Sequence, residues 1–380
     1  MIAGAALSPL ALWGSSCALE GFNRVEADAP LGCPHATVPP PPSVTGSGGD
    51  IEIIVAVRAF DLGELETDAG SAPVGFDLDR TCTCQGEGPN CTPLADAGAD
   101  ASAHCDAPEG RDNAAARIFK LLTSAFGEDG FGSAFYSAKT EEGAWSVLLR
   151  VRGYNGEPDD DRVQFDWYVA TNFSAGGNVG APQWDGEDAW PILSSALNRS
   201  ESDAGTALDS GVYNPEDTRF TDPNAYVTGG VLVAALPEAE ITLSGGVNTI
   251  SILVSGGTLS ATIEPAAVSG GYLLRDAIFG GRWKTSEVFR SLSTYRSNDG
   301  KAYCKTDPFY PAAKSTLCGS ADILDRPGSP TLYCDSISIG IRFQTFPARI
   351  GAILDPAPPS PGCMPAAFSP ENDACKPPAP

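Results

Sequence analysis

Histidine is nearly absent from this chain of 380 residues: His35 and His104 are the only two. Any Ser-His-Asp or Cys-His mechanism would need one of them. His35 lies in a Pro-rich stretch, His104 stands beside a cysteine, and no Gly-x-Ser-x-Gly elbow occurs, so the usual nucleophilic hydrolases are disfavoured. No Cys-x-x-Cys pair occurs either, which removes the common zinc spacing. Walker and Rossmann glycine fingerprints are missing from any strand–helix context. Positive charge is scarce, with 24 Lys and Arg against 48 Asp and Glu and a net charge of −24. Such a surface repels phosphate backbones and argues against a nucleic-acid partner. No apolar run reaches the roughly 18 residues of a membrane-spanning helix, and no repeat of 20–50 residue period is visible.

What the chain does have is cysteine, glycine and proline. Its 42% of hydrophobic residues suffices for a core, while 42 Gly and 32 Pro imply many turns. Eleven cysteines are many for a reducing compartment, and without zinc spacing they read as disulfides. The odd number has an explanation in the first seventeen residues, which are uncharged. Leu7, Leu10, Leu12 and Trp13 form a short apolar stretch that ends in Gly14-Ser15-Ser16-Cys17. That is the pattern of a bacterial lipoprotein signal, with Cys17 as the lipidation site. It departs from the pattern in having Gly14 three positions before the cysteine and no basic residue ahead of the apolar run. An ordinary secretory signal is the alternative. With Cys17 set aside, ten cysteines remain to pair: Cys33, Cys82, Cys84, Cys91, Cys105, Cys304, Cys318, Cys334, Cys363 and Cys375.

Composition divides the chain into a signal segment at 1–17, a Pro/Gly-rich tether at 18–50, a globular domain at 51–354 and a Pro-rich tail at 355–380. The tail carries two cysteines and is expected to be pinned. Within the domain, β-branched runs at 51–60 and 144–154 and the alternation of Val163, Phe165, Trp167 and Val169 predict strands. Further strands are expected at 227–235, 239–244, 248–255, 258–263, 272–279 and 335–344. The spacing predicts helices over 112–126, with Asp112 as N-cap, and 284–295. The fold class expected is mainly β, an antiparallel sandwich or barrel with two or three short helices and disulfide-stapled loops.

Three constellations could carry chemistry. Cys82, Cys84, Cys91 and Cys105 are expected to pair among themselves, in one of three connectivities, and Asp77, Asp79, Asp106, Asp112 and Asn113 stand beside them. Hard oxygen ligands on a constrained loop suit calcium, although the spacing is not that of an EF-hand; helix capping and solvated acids are the bland alternative. Asp159 and Asp161 on the Asn155-Gly156 loop form a second candidate cation site, or a wet turn. Trp184, Asp185 and Trp190 could hold a sugar, by stacking and by hydrogen bonds to a carboxylate, or could simply pack.

Taken in order, Phe76-Asp77-Leu78-Asp79, Cys82-Thr83-Cys84, Cys105-Asp106, Gly110-Arg111-Asp112-Asn113, Gly153-Tyr154-Asn155-Gly156, Asp159-Asp160-Asp161, Trp184-Asp185-Gly186, Tyr226-Val227-Thr228-Gly229-Gly230-Val231-Leu232-Val233-Ala234 and Gly281-Arg282-Trp283-Lys284 resemble a group of exported lipoproteins of myxobacteria. The resemblance covers roughly 51–345. It implies export and an envelope location, and it assigns no activity and no functional residue. The expectation is therefore a cell-envelope, surface or secreted module that binds or supports. Its membrane contact would run through the lipid anchor alone, with calcium as candidate cofactor and a glycan or other envelope component as candidate ligand. A polysaccharide hydrolase using paired carboxylates is the alternative from another class, and a passive envelope component is a third.

Overall fold

The computed structural model describes residues 32–43, 45–64, 73–94, 104–126, 131–200, 212–245, 249–267, 271–296, 300–326, 330–357 and 361–375. Cys17 lies outside them. The chain is mainly β. Its strands are β1 (Ile51–Asp61), β2 (Ser146–Tyr154), β3 (Asp160–Ala170), β4 (Ala189–Leu193), β5 (Leu197–Ser200), β6 (Val212–Thr218), β7 (Phe220–Thr228), β8 (Val231–Ser244), β9 (Thr249–Pro265), β10 (Tyr272–Lys284), β11 (Ser336–Pro347) and β12 (Arg349–Leu354). Ten of them form one sheet in the order β12-β4-β3-β2-β1-β11-β10-β9-β8-β7, and β3 also pairs with β7. That last pairing closes eight strands, β1, β2, β3, β7, β8, β9, β10 and β11, into an antiparallel ring whose neighbours follow chain order. Closure gives each of these strands a hydrogen-bonded neighbour on both sides. β4 adds to β3 at Ala170↔Ile192, and β12 runs parallel to β4.

The alternation along each strand explains the ring. Ile53 and Val55 of β1, Val163, Phe165, Trp167 and Val169 of β3, and Ile337, Ile339, Ile341 and Phe343 of β11 turn to one common core. Trp167 is fully buried there, 4.9 Å from Phe279 and 5.8 Å from Phe343 between ring centres, and its Nε1 donates to the Glu240 carbonyl at 2.8 Å. The interior is thus filled by side chains. The alternate residues Ala56, Leu148, Tyr168 and Ala170 face outward into a second core with Phe173, Trp190 and Ile192.

The strand expected at 227–235 turns at Gly229-Gly230, so that 227–228 end β7 and the rest joins 239–244 in β8, while 248–255 and 258–263 fall in the single strand β9. β8 runs through Pro237 and β9 through Gly256-Gly257, because Leu236↔Gly257 and Glu238↔Ser255 keep the ladder in register on either side. Pro237 removes one donor from the ladder without breaking it. Four α-helices are present among the described residues rather than two or three: α1 (Ala115–Phe126), α2 (Ser133–Glu141), α3 (Thr285–Thr294) and α4 (Tyr310–Gly319). α2 escapes the apolar pattern because its buried stripe is Ser133, Tyr136 and Thr140, two of them polar. Ser133 Oγ earns its burial by accepting from Leu62 N at 2.8 Å and donating to Glu64 at 2.7 Å. α1 begins three residues after Asp112, so that carboxylate is not its N-cap.

The disulfides correct a second expectation. Of the four clustered cysteines only Cys84 and Cys105 pair with each other. Cys82 joins Cys33, and Cys91 joins Cys334, 243 residues away. The reason lies in two distant segments that pack on the acidic loop. Residues expected to be a free tether are docked from Cys33 onward: Ala36 N donates to Glu109 O at 2.8 Å, and Asp77 N donates to Ala36 O at 3.0 Å. Farther along, Tyr226 Oη donates to Pro39 O at 2.6 Å. On the other side Thr92 and Tyr333 form a β-bridge, which sets Cys91 against Cys334. Cys304–Cys363 and Cys318–Cys375 pin the tail.

Candidate functional site

The acidic loop is seated where the outer face of the ring is bare. Gly280 and Gly340 stand opposite each other in the β10–β11 ladder. A Cβ on Gly340 would lie 2.7 Å from the Val74 carbonyl oxygen and 2.8 Å from Gly75 Cα, and one on Gly280 would lie 2.9 Å from Phe76 Cδ2. The two glycines therefore let residues 74–76 lie directly on the sheet. Pairing of β1 with β11 stops at Asp61↔Arg342. Beyond it, the amide of Asn113 takes the place of a strand. Its Oδ1 accepts from Gly340 N at 3.0 Å, and its Nδ2 donates to Gly340 O at 3.1 Å and to Val74 O at 3.2 Å. Asp322 does the same one pair further, accepting from Ser338 N at 2.8 Å and Ser338 Oγ at 2.5 Å.

Against this floor three carboxylates converge. One oxygen each from Asp77, Asp79 and Asp112 lies within 4.8 Å of the others. Two oxygens on a shared calcium ion, each about 2.4 Å away, are at most about 4.8 Å apart, so the spacing suits that ion. Asp77 and Asp112 are buried. Asp77 Oδ1 accepts from Arg80 N at 2.6 Å and Thr81 N at 3.2 Å, and its Oδ2 contacts His35 Nδ1. Arg80 adopts a left-handed φ of 61° to present that N–H, a conformation that disfavours a long side chain. Asp79 Oδ1 accepts from Thr81 N at 2.8 Å, and Asp112 Oδ2 accepts from Leu78 N at 2.7 Å. Asp112 Oδ1 is buried and has no donor among the described residues. The Asp112 carboxyl is, however, hydrogen-bonded to that of Asp106. Two acceptor groups in contact need a proton or a cation between them.

The electrostatics agree with that picture. Burial, then the charge of Asp77, pushes Asp79 up to about 7. Burial holds Asp106 at about 7 against the hydrogen bond from Thr83 N. Asp112 lies well above the ordinary carboxylate range through burial and the charges of Asp79, Asp322 and Asp106, and burial raises Asp322 to about 6. Arg282, whose Nη2 donates to Leu78 O at 2.5 Å, supplies some positive charge to Asp79.

A cavity of about 350 Å³ adjoins the cluster, lined by His104, Asp106, Arg111, Arg117 and Asp322 among others. His104 is 9% exposed, and neither ring nitrogen has a hydrogen-bond partner among the described residues. Burial, then the Arg117 charge, lowers its pKa, so the ring is neutral at pH 7.

The remaining nominated residues have other occupations. Asp161 accepts from Gly46 N and Ser47 N, each at 2.9 Å, and Asp159 Oδ1 accepts from Gly229 N at 2.8 Å. Both tie the β2–β3 turn to neighbouring segments and do not converge on a common point. Trp190 is fully buried, and Trp184 packs on it at 5.6 Å with the Arg58 guanidinium 5.8 Å from the Trp184 ring. Asp185 Oδ1 accepts from Glu187 N at 3.0 Å within its own turn. His35, Asp322 and Arg282 were not nominated from the sequence, and each lies far along the chain from the loop it serves. The chain matches no protein-family model, and no curated protein and no solved structure is significantly similar to it.

Proposed function

We propose that the chain is an exported envelope protein, lipid-anchored through Cys17 or secreted, whose domain binds rather than catalyses and whose acidic loop holds a divalent cation, calcium first. Five disulfides support an oxidising compartment, and the resemblance to myxobacterial lipoproteins points the same way. The observation that carries the cation is the convergence of one oxygen each from Asp77, Asp79 and Asp112 within 4.8 Å, with Asp106 bonded to Asp112. An all-carboxylate set favours a hard ion over zinc, and Cys82, tied to Cys33, offers no thiolate. Thermal unfolding and calorimetry of chelator-treated protein test this. One saturable calcium site should appear, adding about 2.7 kcal/mol of stability at a hundredfold excess over Kd. No shift in millimolar calcium would remove the cation from the account.

A second reading, glycan hydrolysis by paired carboxylates, draws on Asp106 and Asp322, which line one cavity and titrate near neutrality, as a general acid must. Asp322 is, however, engaged as an acceptor by both Ser338 groups, which favours binding. Turnover of a polysaccharide substrate that Asp322→Asn abolishes, without loss of folding, would decide for hydrolysis.

A further inference from the structure

We propose that the cross-linked knot formed by residues 304–310 and the pinned tail docks on a lipid surface, so that the domain meets the membrane directly and not through the anchor at Cys17 alone. Apolar exposure is uneven over the molecule. Seven large hydrophobic side chains are exposed among the described residues, and five of them, Phe309, Leu332, Tyr333, Met364 and Phe368, lie on segments that border one satellite core. That core joins Phe289 of α3, Tyr310 of α4 and Leu324, and the Cys91–Cys334 and Cys318–Cys375 bridges cross it. Hydrophobic side chains exposed singly are ordinary, whereas a group of them on one module marks a contact surface. Phe309 is 76% exposed and Met364 87%. Both project from a fixed backbone. Cys304 is bonded to Cys363, Lys305 N donates to Phe368 O at 2.8 Å, Phe368 N to Pro365 O at 2.9 Å, and Phe309 N to Asp307 Oδ1 at 2.9 Å. Side chains presented in this way lose little freedom on docking, so more of the gain from burying them is kept.

Charge and chain length choose the occupant. Residues 304–314 and 361–373 carry Lys305, Lys314, Asp307, Glu371 and Asp373, a net charge of −1 on a chain whose net charge is −24. Two such chains repel each other, which disfavours a second copy, and a basic partner is drawn to the acidic surface elsewhere. A zwitterionic headgroup layer is close to neutral, as the knot is. Chain length points the same way, and this part of the argument rests on the anchor reading above. Fifteen residues separate Cys17 from Cys33, a reach of about 50 Å at full extension. An anchored domain is therefore held beside the bilayer at high effective concentration, where a weak apolar contact suffices. The tether also enters the domain by a loop tied to the satellite core: Cys33 is bonded to Cys82, and nine residues on, Cys91 is bonded to Cys334.

A tryptophan placed in the knot tests the proposal. The full chain carrying Phe309→Trp is reconstituted with vesicles of phosphatidylcholine whose acyl chains are brominated. Its quenching in excess of the wild-type chain is compared with that of Val179→Trp, at a position 97% exposed on the β3–β4 connection. Phe309→Trp should be quenched several-fold more strongly. Adding Met364→Ser to the Phe309→Trp chain removes one apolar side chain and should lower the docked-to-free ratio about tenfold, with the melting temperature unchanged. Should that variant fail to fold, Phe368→Ser takes its place with the same expectation. Equal quenching at 309 and 179 overturns the docking and leaves the anchor standing, which fatty-acid labelling of Cys17 reads separately. An unlabelled Cys17, with Phe309→Trp still quenched when the protein is added to the vesicles, upholds the docking and removes the anchor. Quenching that survives both serine variants overturns the proposal. So does a dimer, seen by sedimentation in place of quenching, that Met364→Ser dissociates.

Discussion

Asp112→Asn separates a cation site from a merely structural carboxylate. Asparagine has the same shape and keeps an oxygen to accept from Leu78 N, so the local fold loses little. What changes is charge. Two unit charges 4.8 Å apart at an effective dielectric constant of 20 repel by about 332/(20 × 4.8), or roughly 3.5 kcal/mol. In the cation-free protein burial and the neighbouring carboxylates hold Asp112 well above the ordinary carboxylate range, so at pH 5 the substitution should change stability little. At pH 8.5, above the values of about 7 for Asp79 and Asp106, the wild-type cluster carries more negative charge and the variant should be the more stable, by up to about 3 kcal/mol. In calcium the order reverses: the variant lacks one charged ligand and should bind roughly thirtyfold or more weakly, about 2 kcal/mol. Urea unfolding at the two pH values, with and without calcium, gives all four numbers. An equal loss of stability in every condition would refute the reasoning and reduce Asp112 to an acceptor for Leu78.

Other consequences are as direct. Asp79 and Asp106 are raised from 3.8 to about 7 and Asp322 to about 6, so their contribution to stability is complete below about pH 4 and is lost as pH rises through 6–7. Asp325 and Asp373 are lowered and act oppositely, below their ordinary range. Chelator-treated protein should therefore melt highest between about pH 4 and 6, and a melting temperature that climbs steadily to pH 8 would contradict this. The double change Cys91→Ala and Cys334→Ala opens a cross-link spanning 243 residues and should cost about 2–5 kcal/mol in urea unfolding; a loss under 0.5 kcal/mol would speak against that pairing. Gly340→Ala places a methyl against the backbone of Val74 and Gly75. It should cost about 1–3 kcal/mol and weaken calcium binding as the loop lifts, whereas unchanged affinity would mean that the loop does not depend on this seat.

Much of the β-structure was legible because it obeys a period of two. Val163, Phe165, Trp167 and Val169 alternate with polar neighbours, and the structure buries all four. Ring closure was not legible, since β3 and β7 are joined through β4, β5 and β6, and nothing local in either strand names its partner. α2 was hidden because Ser133 and Thr140 are buried by hydrogen bonds rather than by apolarity. At the site, Asp77, Asp79 and Asp112 stood out beside clustered cysteines. Asp322 could not, because it reaches the loop through the Cys91–Cys334 bridge and the β11 edge. Asn113 has the chemistry of a calcium ligand, yet its amide completes the β11 edge in place of a strand. The run Asp159-Asp160-Asp161 looked like a cation loop, but Asp160 and Asp161 are consumed as acceptors for the backbone of the turn and of Gly46-Ser47.

The most direct test is a crystal grown in calcium and measured for anomalous scattering. A peak about 2.3–2.6 Å from oxygens of Asp77, Asp79 and Asp112 is the predicted result. A map without a peak there, at a calcium concentration that saturates any binding seen in solution, would contradict the claim that the stapled acidic loop is a cation site.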